Sequence, residues 1–227
     1  MMCRSLPQVF LLGGLMVLAA CSNQRSSENV FSVAKSLINQ QRVKPVAPDP
    51  QLVSSVAMKA LANTTGPVAL YALEDRKAAA VLRPIEQNGP HQTWASYGSS
   101  DRRSATTRNG VLVATRGLGN DLMSSRIEPL LDVVTRRENG VAKIQQRYLD
   151  GENKIVTLKS DCKITRGDTE TLAGANGTAS VVRMTAECWQ SDRSVVNSYL
   201  VDSSGRILQS RHWAGPTMGY SAIQRLR

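Results

Sequence analysis

The chain has 227 residues, 41% of them hydrophobic, with 28 basic and 18 acidic side chains and a formal net charge of +10. That length is enough for one domain with a sizeable core, and the charge directs attention to acidic partners: acidic polysaccharide, lipopolysaccharide phosphates or anionic headgroups. Aromatic residues make up only 4% of the chain, which disfavours a dedicated stacking platform for neutral glycans.

Residues 1–20 read as a secretory signal peptide. Arg4 supplies the basic start, and residues 9–18 are apolar apart from Gly13 and Gly14. The stretch is too short and wrongly flanked for a membrane-spanning helix. Leu18-Ala19-Ala20-Cys21 resembles a bacterial lipoprotein processing site. This implies cleavage before Cys21, diacylglycerol on its sulfur and a third acyl chain on its new amine. Two or more chains anchor stably where one binds only marginally. Ser22 rather than Asp after the cysteine favours the outer membrane, so the expected location is that membrane's periplasmic face, held by lipid. Export sets nucleic acid aside as a partner. The mature chain has 227 − 20 = 207 residues and, with Arg4 gone, 27 basic groups against 18 acidic. Arginine accounts for 20 of the 28 basic residues, and its rigid fork suits carboxylates and phosphates.

Residues 21–29 form a polar tether, and 30–227 are expected to make a single mainly-β domain with N-terminal helices within 30–62. Val30, Phe31, Ala34, Leu37 and Ile38 recur at helical spacing, predicting a helix over 30–42. Pro45, Pro48 and Pro50 interrupt it, and Asp49-Pro50 reads as an N-cap followed by proline at the first helical position. Leu52, Val53, Val56, Ala57, Ala60 and Leu61 then place an apolar stripe on a second helix, ending near Asn63.

After Gly66 the pattern changes to strands and tight turns. Asn109-Gly110 separates 103–108 from 111–116, and Asn139-Gly140 separates 131–137 from 141–149. Asp150-Gly151, the 174–177 segment and 203–205 mark further reversals. Asn-Gly and Asp-Gly suit two-residue hairpin loops because both central residues need positive φ. Successive hairpins with no long helical pattern between them predict an all-β C-terminal region: an antiparallel meander forming a curved sheet, sandwich or open barrel.

Cys3 leaves with the signal and Cys21 is lipidated, so Cys162 and Cys188 remain as a pair in an oxidising compartment. Their midpoint, residue 175, lies in the Gly174-Ala175-Asn176-Gly177 turn. A hairpin whose paired numbers sum to 350 sets Cys162 against Cys188, Lys163 against Glu187 and Thr165 against Thr185. These are favourable cross-strand neighbours, and the apolar residues fall on one face. The disulfide is expected to be structural, since no Cys-x-x-Cys suggests redox chemistry.

Catalytic signatures are missing from the sequence. His91 and His212 are far apart and no zinc-ligand spacing occurs. Gly-x-Ser-x-Gly is absent, and Gly117-Leu118-Gly119 is too little of a dinucleotide fingerprint and reads as a tight loop. Paired carboxylates remain conceivable among Asp101, Asp121, Glu128, Asp132 and Asp161, though none is marked by its surroundings. No cofactor or metal is expected. Arg183, Trp189, Arg206, Arg211 and Trp213 are the candidate contacts for a glycan or protein partner, with core packing the competing role for Trp94 and Trp213.

Taken together the chain resembles the group 4 capsule polysaccharide lipoprotein family (the YjbF/GfcB type). The residues that carry the likeness are the Cys21 lead, Gln92-x-Trp94, and Asn109-Gly110-Val111-Leu112 running into Thr115-x-Gly117-Leu118 and Asp121-Leu122. Trp189 and Trp213-Ala214-Gly215-Pro216 complete it. Gly119 departs from the proline expected after the Gly-Leu pair. The resemblance implies a mainly-β outer-membrane lipoprotein acting in exopolysaccharide or capsule export, and it brings no catalytic residue. The expected function is therefore a non-enzymatic accessory that touches an acidic polysaccharide or an export-machinery protein. A carrier or docking module for lipid or lipoprotein is the alternative, and a glycan-modifying enzyme the third. An apolar cavity favours the carrier, facing carboxylates the enzyme, and an arginine-rich face the glycan or partner role.

Overall fold

Twelve antiparallel strands curl into one nearly closed, barrel-like sheet in the computed structural model, which describes residues 50–98, 103–174 and 177–227. The signal peptide, Cys21, the tether, the helix expected over 30–42, Asp49 and Asp101 lie outside the described residues. Helix α1 (Pro50–Asn63) is followed by β1 (Ala69–Leu73), β2 (Ala78–Asn88), β3 (His91–Ser96), β4 (Ser104–Arg108), β5 (Val111–Arg116) and β6 (Leu122–Arg126). Helix α2 (Glu128–Arg136) then leads into β7 (Gly140–Leu149), β8 (Ile155–Gly174), β9 (Gly177–Trp189), β10 (Ser194–Asp202), β11 (Ile207–Trp213) and β12 (Tyr220–Arg225).

The sheet order is β5-β4-β3-β2-β1-β12-β11-β10-β9-β8-β7-β6. Two consecutive meanders are joined by the pairing of β1 with β12, which brings the two ends of the described domain together. The free edges, β5 and β6, are also neighbours in sequence, and the 117–121 loop joins them. Asp121 organises that loop: its carboxylate accepts from the Thr115 hydroxyl (2.9 Å) and from the N–H groups of Gly117 (2.7 Å) and Leu118 (3.0 Å). The Leu122 N–H in turn donates to Thr115 Oγ1 at 3.0 Å, bridging the gap between the edges. Gly117 and Gly119 take φ of 75° and 79°, the positive values the Gly-Leu-Gly reversal requires.

Alternation along the strands sorts side chains to two faces. Pairing of Tyr71 with Ile223 and Ala80, and of Trp94 with Pro84 and Ala105, places these residues on the concave face. On the convex side, α1 lays Ala60, with Val56, Ala57 and Leu61 around it, against Val68, Leu70 and Val81. Val56, Ala57, Ala60 and Leu61 of the expected apolar stripe are what packs, and the Leu52 side chain lies outside the described residues.

Helix α2 corrects the expectation of an all-β C-terminal region. Ile127, Leu130, Leu131 and Val134 follow the i, i+3, i+4, i+7 spacing of a helix face. All four are buried within the concavity of β7–β11, against Ile164, Met184, Tyr199 and Val201 among others. Nine residues are too few to hold a helix alone. Burying three or four such side chains, at about 1.5–3 kcal/mol each, makes up the deficit. Asn139-Gly140 is accordingly not a hairpin turn. The positive φ falls at Arg137 (58°), whose N–H closes the helix on the carbonyls of Val133 and Val134, and Gly140 opens β7. At Asn109-Gly110, by contrast, both residues have positive φ (45° and 80°) and the hairpin is as expected.

Cys162 and Cys188 are bonded, with paired strands in the expected register: Cys162 faces Cys188, Lys163 faces Glu187 and Thr165 faces Thr185. The sum of 350 holds from Asp161 to Arg166. A bulge at Gly167-Asp168 then shifts the pairing to a sum of 351, so Gly174 faces Gly177.

Candidate functional site

At one end of the barrel the concave face opens into a cavity of about 340 Å³. The ends of β2, β4 and β12 and the starts of β1, β3 and β11 converge there, so six strands each contribute terminal residues. Trp94, Ala69, Ile207 and Ile223 form its apolar floor, and all four are buried. Gln87, Gln92, Thr107, Asn109, Arg206 and Arg225 form its polar wall. No Asp or Glu lines it.

Local hydrogen bonds fix this wall. Trp94 donates its indole N–H to Thr107 Oγ1 at 2.9 Å, setting the ring across β3 and β4. The amide nitrogen of Gln92 donates to the carbonyls of Glu86 (2.6 Å) and Thr93 (3.2 Å), and that of Gln87 to the Gly89 carbonyl (2.6 Å). The tip of the β4–β5 hairpin folds across the barrel end onto β11. There the Asn109 side-chain nitrogen donates to the Gly205 carbonyl (3.2 Å), and Ser210 Oγ donates to the Gly110 carbonyl (2.7 Å). A Cβ on Gly110 would sit 2.4 Å from the Ile207 carbonyl oxygen, so glycine is what lets the tip seat.

Of the five contact residues expected from sequence, only Arg206 belongs to this cavity. Its guanidinium pairs with Asp202 at 3.0 Å. Burial pushes the Asp202 carboxyl up, but hydrogen bonds from Ser204 and Arg206 outweigh it and hold the group below its ordinary value. Arg183 is engaged by Glu170, whose carboxyl is held low chiefly by that hydrogen bond. Arg211 forks onto Glu74 through two 2.7 Å bonds and lies 3.9 Å over the Tyr220 ring, so it ties β11 to the end of β1. Trp189 is exposed on β9, beside Pro129, Val141 and Lys163. Trp213 is buried edge-on to Tyr148, ring centres 6.2 Å apart, which makes it a core residue rather than a contact.

Three of the candidate carboxylates have local roles. Asp121 holds its loop, Glu128 pairs with Arg108, and Asp161 pairs with Lys143 on the exposed face at 3.2 Å. His212 is buried with Ser221 Oγ 3.5 Å from Nε2, and burial lowers its pKa to about 4. Among the described residues no cluster of three His, Cys, Asp or Glu is placed to hold a metal, and no helix is long and apolar enough to cross a membrane.

Sequence reasoning missed Gln87, Thr107 and Arg225. The period-2 pattern carried the signal: Gln92 pairs with Gln87 on one side and Thr107 on the other, so all three share Trp94's face. A second cavity, of about 290 Å³, lies towards the opposite end of the same face, with Tyr71, Leu73, Leu82 and Leu118 in its walls. Trp94 lines both cavities.

Residues 46–226 match the family model described as group 4 capsule polysaccharide lipoprotein gfcB, YjbF. The hypothetical lipoprotein YmcC from Escherichia coli (K12) superposes with a TM-score of 0.67 at 17% identity, covering 76% of this chain and 89% of that one. It shares the fold. A putative exported protein with a YmcC-like fold from Bacteroides fragilis is 11% identical over 71% of this chain and 93% of its own, with a TM-score of 0.27. No curated protein matches.

Proposed function

This chain belongs to the group 4 capsule polysaccharide lipoprotein family, and from that premise we propose that it is a non-enzymatic accessory in the assembly or export of surface polysaccharide. On this reading Cys21 carries the lipid that holds it at the periplasmic face of the outer membrane, and the barrel end contacts an acidic glycan. The observation that carries the reading is the barrel-end cavity, where two arginines and three amide side chains surround a tryptophan floor without a single carboxylate. A hydrolase of the two-carboxylate type needs an acid and a base flanking one bond, and this cavity offers neither. Arginine forks fit anionic oxygens, and amide groups fit hydroxyls.

The cellular test is a strain lacking the protein. Loss of surface polysaccharide, restored by the intact gene and not by a Cys21→Ala variant, is the expected result. Normal surface polysaccharide in the deletion strain would count against the export role.

A second reading, carriage of an acyl chain, draws on the apolar walls of the 290 Å³ cavity. It predicts that purified protein retains a lipid extractable by organic solvent.

A further inference from the structure

We propose that the 290 Å³ cavity binds one single-chain anionic amphiphile, a fatty acid, with its tail on the concave face of β1–β4 and its carboxylate at Arg103. The inference rests on the acyl-chain reading above and adds the ligand's class and orientation. It is independent of glycan contact at the other end of the barrel.

The cavity exists because small side chains face large ones across the strands. On the concave face Ala80 pairs with Tyr71, Ser96 with Leu82 and Ala105 with Trp94, and all six line the hollow. Protein interiors otherwise pack to the density of organic crystals, so this is space that the sheet itself leaves unfilled. Leu118 supplies a wall from another part of the chain. Its N–H donates to Asp121 at 3.0 Å and its carbonyl accepts from Arg76, so the loop that carries it is held from both sides. A wall fixed in advance lowers the ordering cost of binding.

The lining sets the tail. Apart from Ser96, Ser104 and Arg103 it consists of Ala, Leu, Trp and Tyr. Such a surface favours an apolar chain over a hydroxyl-rich ligand, whose groups would lose their water without gaining partners. Ligand pockets run from about 300 to 1,000 Å³. At about 290 Å³ this one suits a single acyl chain and not the two of a phospholipid.

The rim sets the head. Arg103 is the one charged residue of the lining, and it is exposed. It makes another contact as well, but a guanidinium has five N–H donors, more than a single partner takes up. With no Asp or Glu in the lining, the rim favours an anion over a neutral or cationic head. Tail and head together describe one molecule, apolar along its length and negative at one end.

The test uses the whole protein in phosphatidylcholine nanodiscs. The probes are dodecanoate with a diazirine near its methyl end, the matching dodecanol, and phosphatidylglycerol with the same diazirine in one acyl chain. After irradiation, digestion and mass spectrometry locate the crosslinks. Variants are Ala80→Leu, which fills the hollow, Arg103→Gln and, as a charge-matched control elsewhere on the surface, Lys143→Gln. The expected result is saturable crosslinking of dodecanoate to peptides of β1, β2 and the 117–121 loop. Ala80→Leu lowers that labelling at least tenfold. Arg103→Gln lowers it at least threefold, to the level of dodecanol, while Lys143→Gln changes it less than twofold. Labelling spread over the chain, or untouched by Ala80→Leu, would overturn the site. Dodecanol labelling the unmodified protein as strongly as dodecanoate would overturn the anionic head, and stronger labelling by phosphatidylglycerol would overturn the single-chain ligand. A lipid extracted from the purified protein alongside an unlabelled cavity would overturn the site and leave acyl-chain carriage standing. Absence of both would overturn that reading too. Thermal unfolding of each variant separates lost binding from lost fold. Ala80→Leu should unfold no earlier than the unmodified protein, since it fills a cavity, and earlier unfolding would show that the hollow has no room for a chain.

Discussion

Replacing Gly110 with alanine tests whether the β4–β5 hairpin is seated on β11 as described. Gly110 has φ of 80°, and an L-residue held in the left-handed region costs roughly 1–2 kcal/mol. The added Cβ would also meet the Ile207 carbonyl oxygen at 2.4 Å, a backbone atom that cannot swing aside. Overpacking of that kind costs about 1–3 kcal/mol. The sum is about 2–5 kcal/mol, or roughly 4–20 °C in Tm for a chain of this size. Gly89→Ala is the matched control: φ there is 53°, but nothing lies within 4 Å of the added Cβ. It should cost only the conformational part, about 1–2 kcal/mol. Urea unfolding of both variants followed by tryptophan fluorescence gives the comparison directly. Trp94 sits one strand from the perturbed tip and hydrogen-bonds to Thr107, three residues before Gly110, so its emission reports on the same region. If Gly110→Ala proves no more destabilising than Gly89→Ala, the hairpin tip does not rest on β11 and the cavity is not closed on that side.

Breaking the Cys162–Cys188 bond, by reduction or by paired alanine substitution, should lower stability by about 3–4 kcal/mol for a bridge spanning 26 residues. A urea midpoint unchanged by reductant would show that the bond contributes nothing. His212 makes stability depend on pH in a defined window. Its pKa falls from an ordinary 6.5 in the unfolded chain to about 4 when buried, so between these values the unfolded state binds the extra proton. Stability is unaffected by this group above pH 6.5 and falls by roughly 3 kcal/mol as the pH drops to 4. His212→Gln should flatten most of that slope in unfolding measured from pH 7 to pH 4.5, and an unchanged slope would assign the dependence to other groups. Cys21→Ala should leave the protein unanchored or unprocessed, and its recovery with outer-membrane fractions at normal levels would contradict lipidation at that residue.

Much of the fold was legible because local chemistry and global topology agree. The Asn109-Gly110 turn, the α1 stripe and the placement of Cys162 opposite Cys188 each rest on a residue type whose preference is strong and local. Helix α2 was not read because Asn139-Gly140 imitates a hairpin turn and nine residues offer little helical pattern. The 127, 130, 131, 134 spacing was nonetheless present, and burial against the curved sheet decided the conformation. Site residues were harder. Arg183, Arg206 and Arg211 look alike in sequence, yet Glu170, Asp202 and Glu74 engage them in three separate places. Arg225 does not stand out in the sequence, because only closure of β12 onto β1 brings it beside Gln92 and Trp94. Trp213 reads as a contact beside Arg211 and His212, whereas its ring is buried against Tyr148, a placement that strand alternation from Arg211 does not predict.

The central claim, that this lipoprotein handles an acidic glycan through its arginines, is tested most directly by titrating the protein with the native organism's purified exopolysaccharide at low and high salt. The account predicts saturable binding that weakens as ionic strength rises, because exposed charge pairs are screened beyond about 10 Å at 0.1 M salt. No binding at either salt concentration would contradict it.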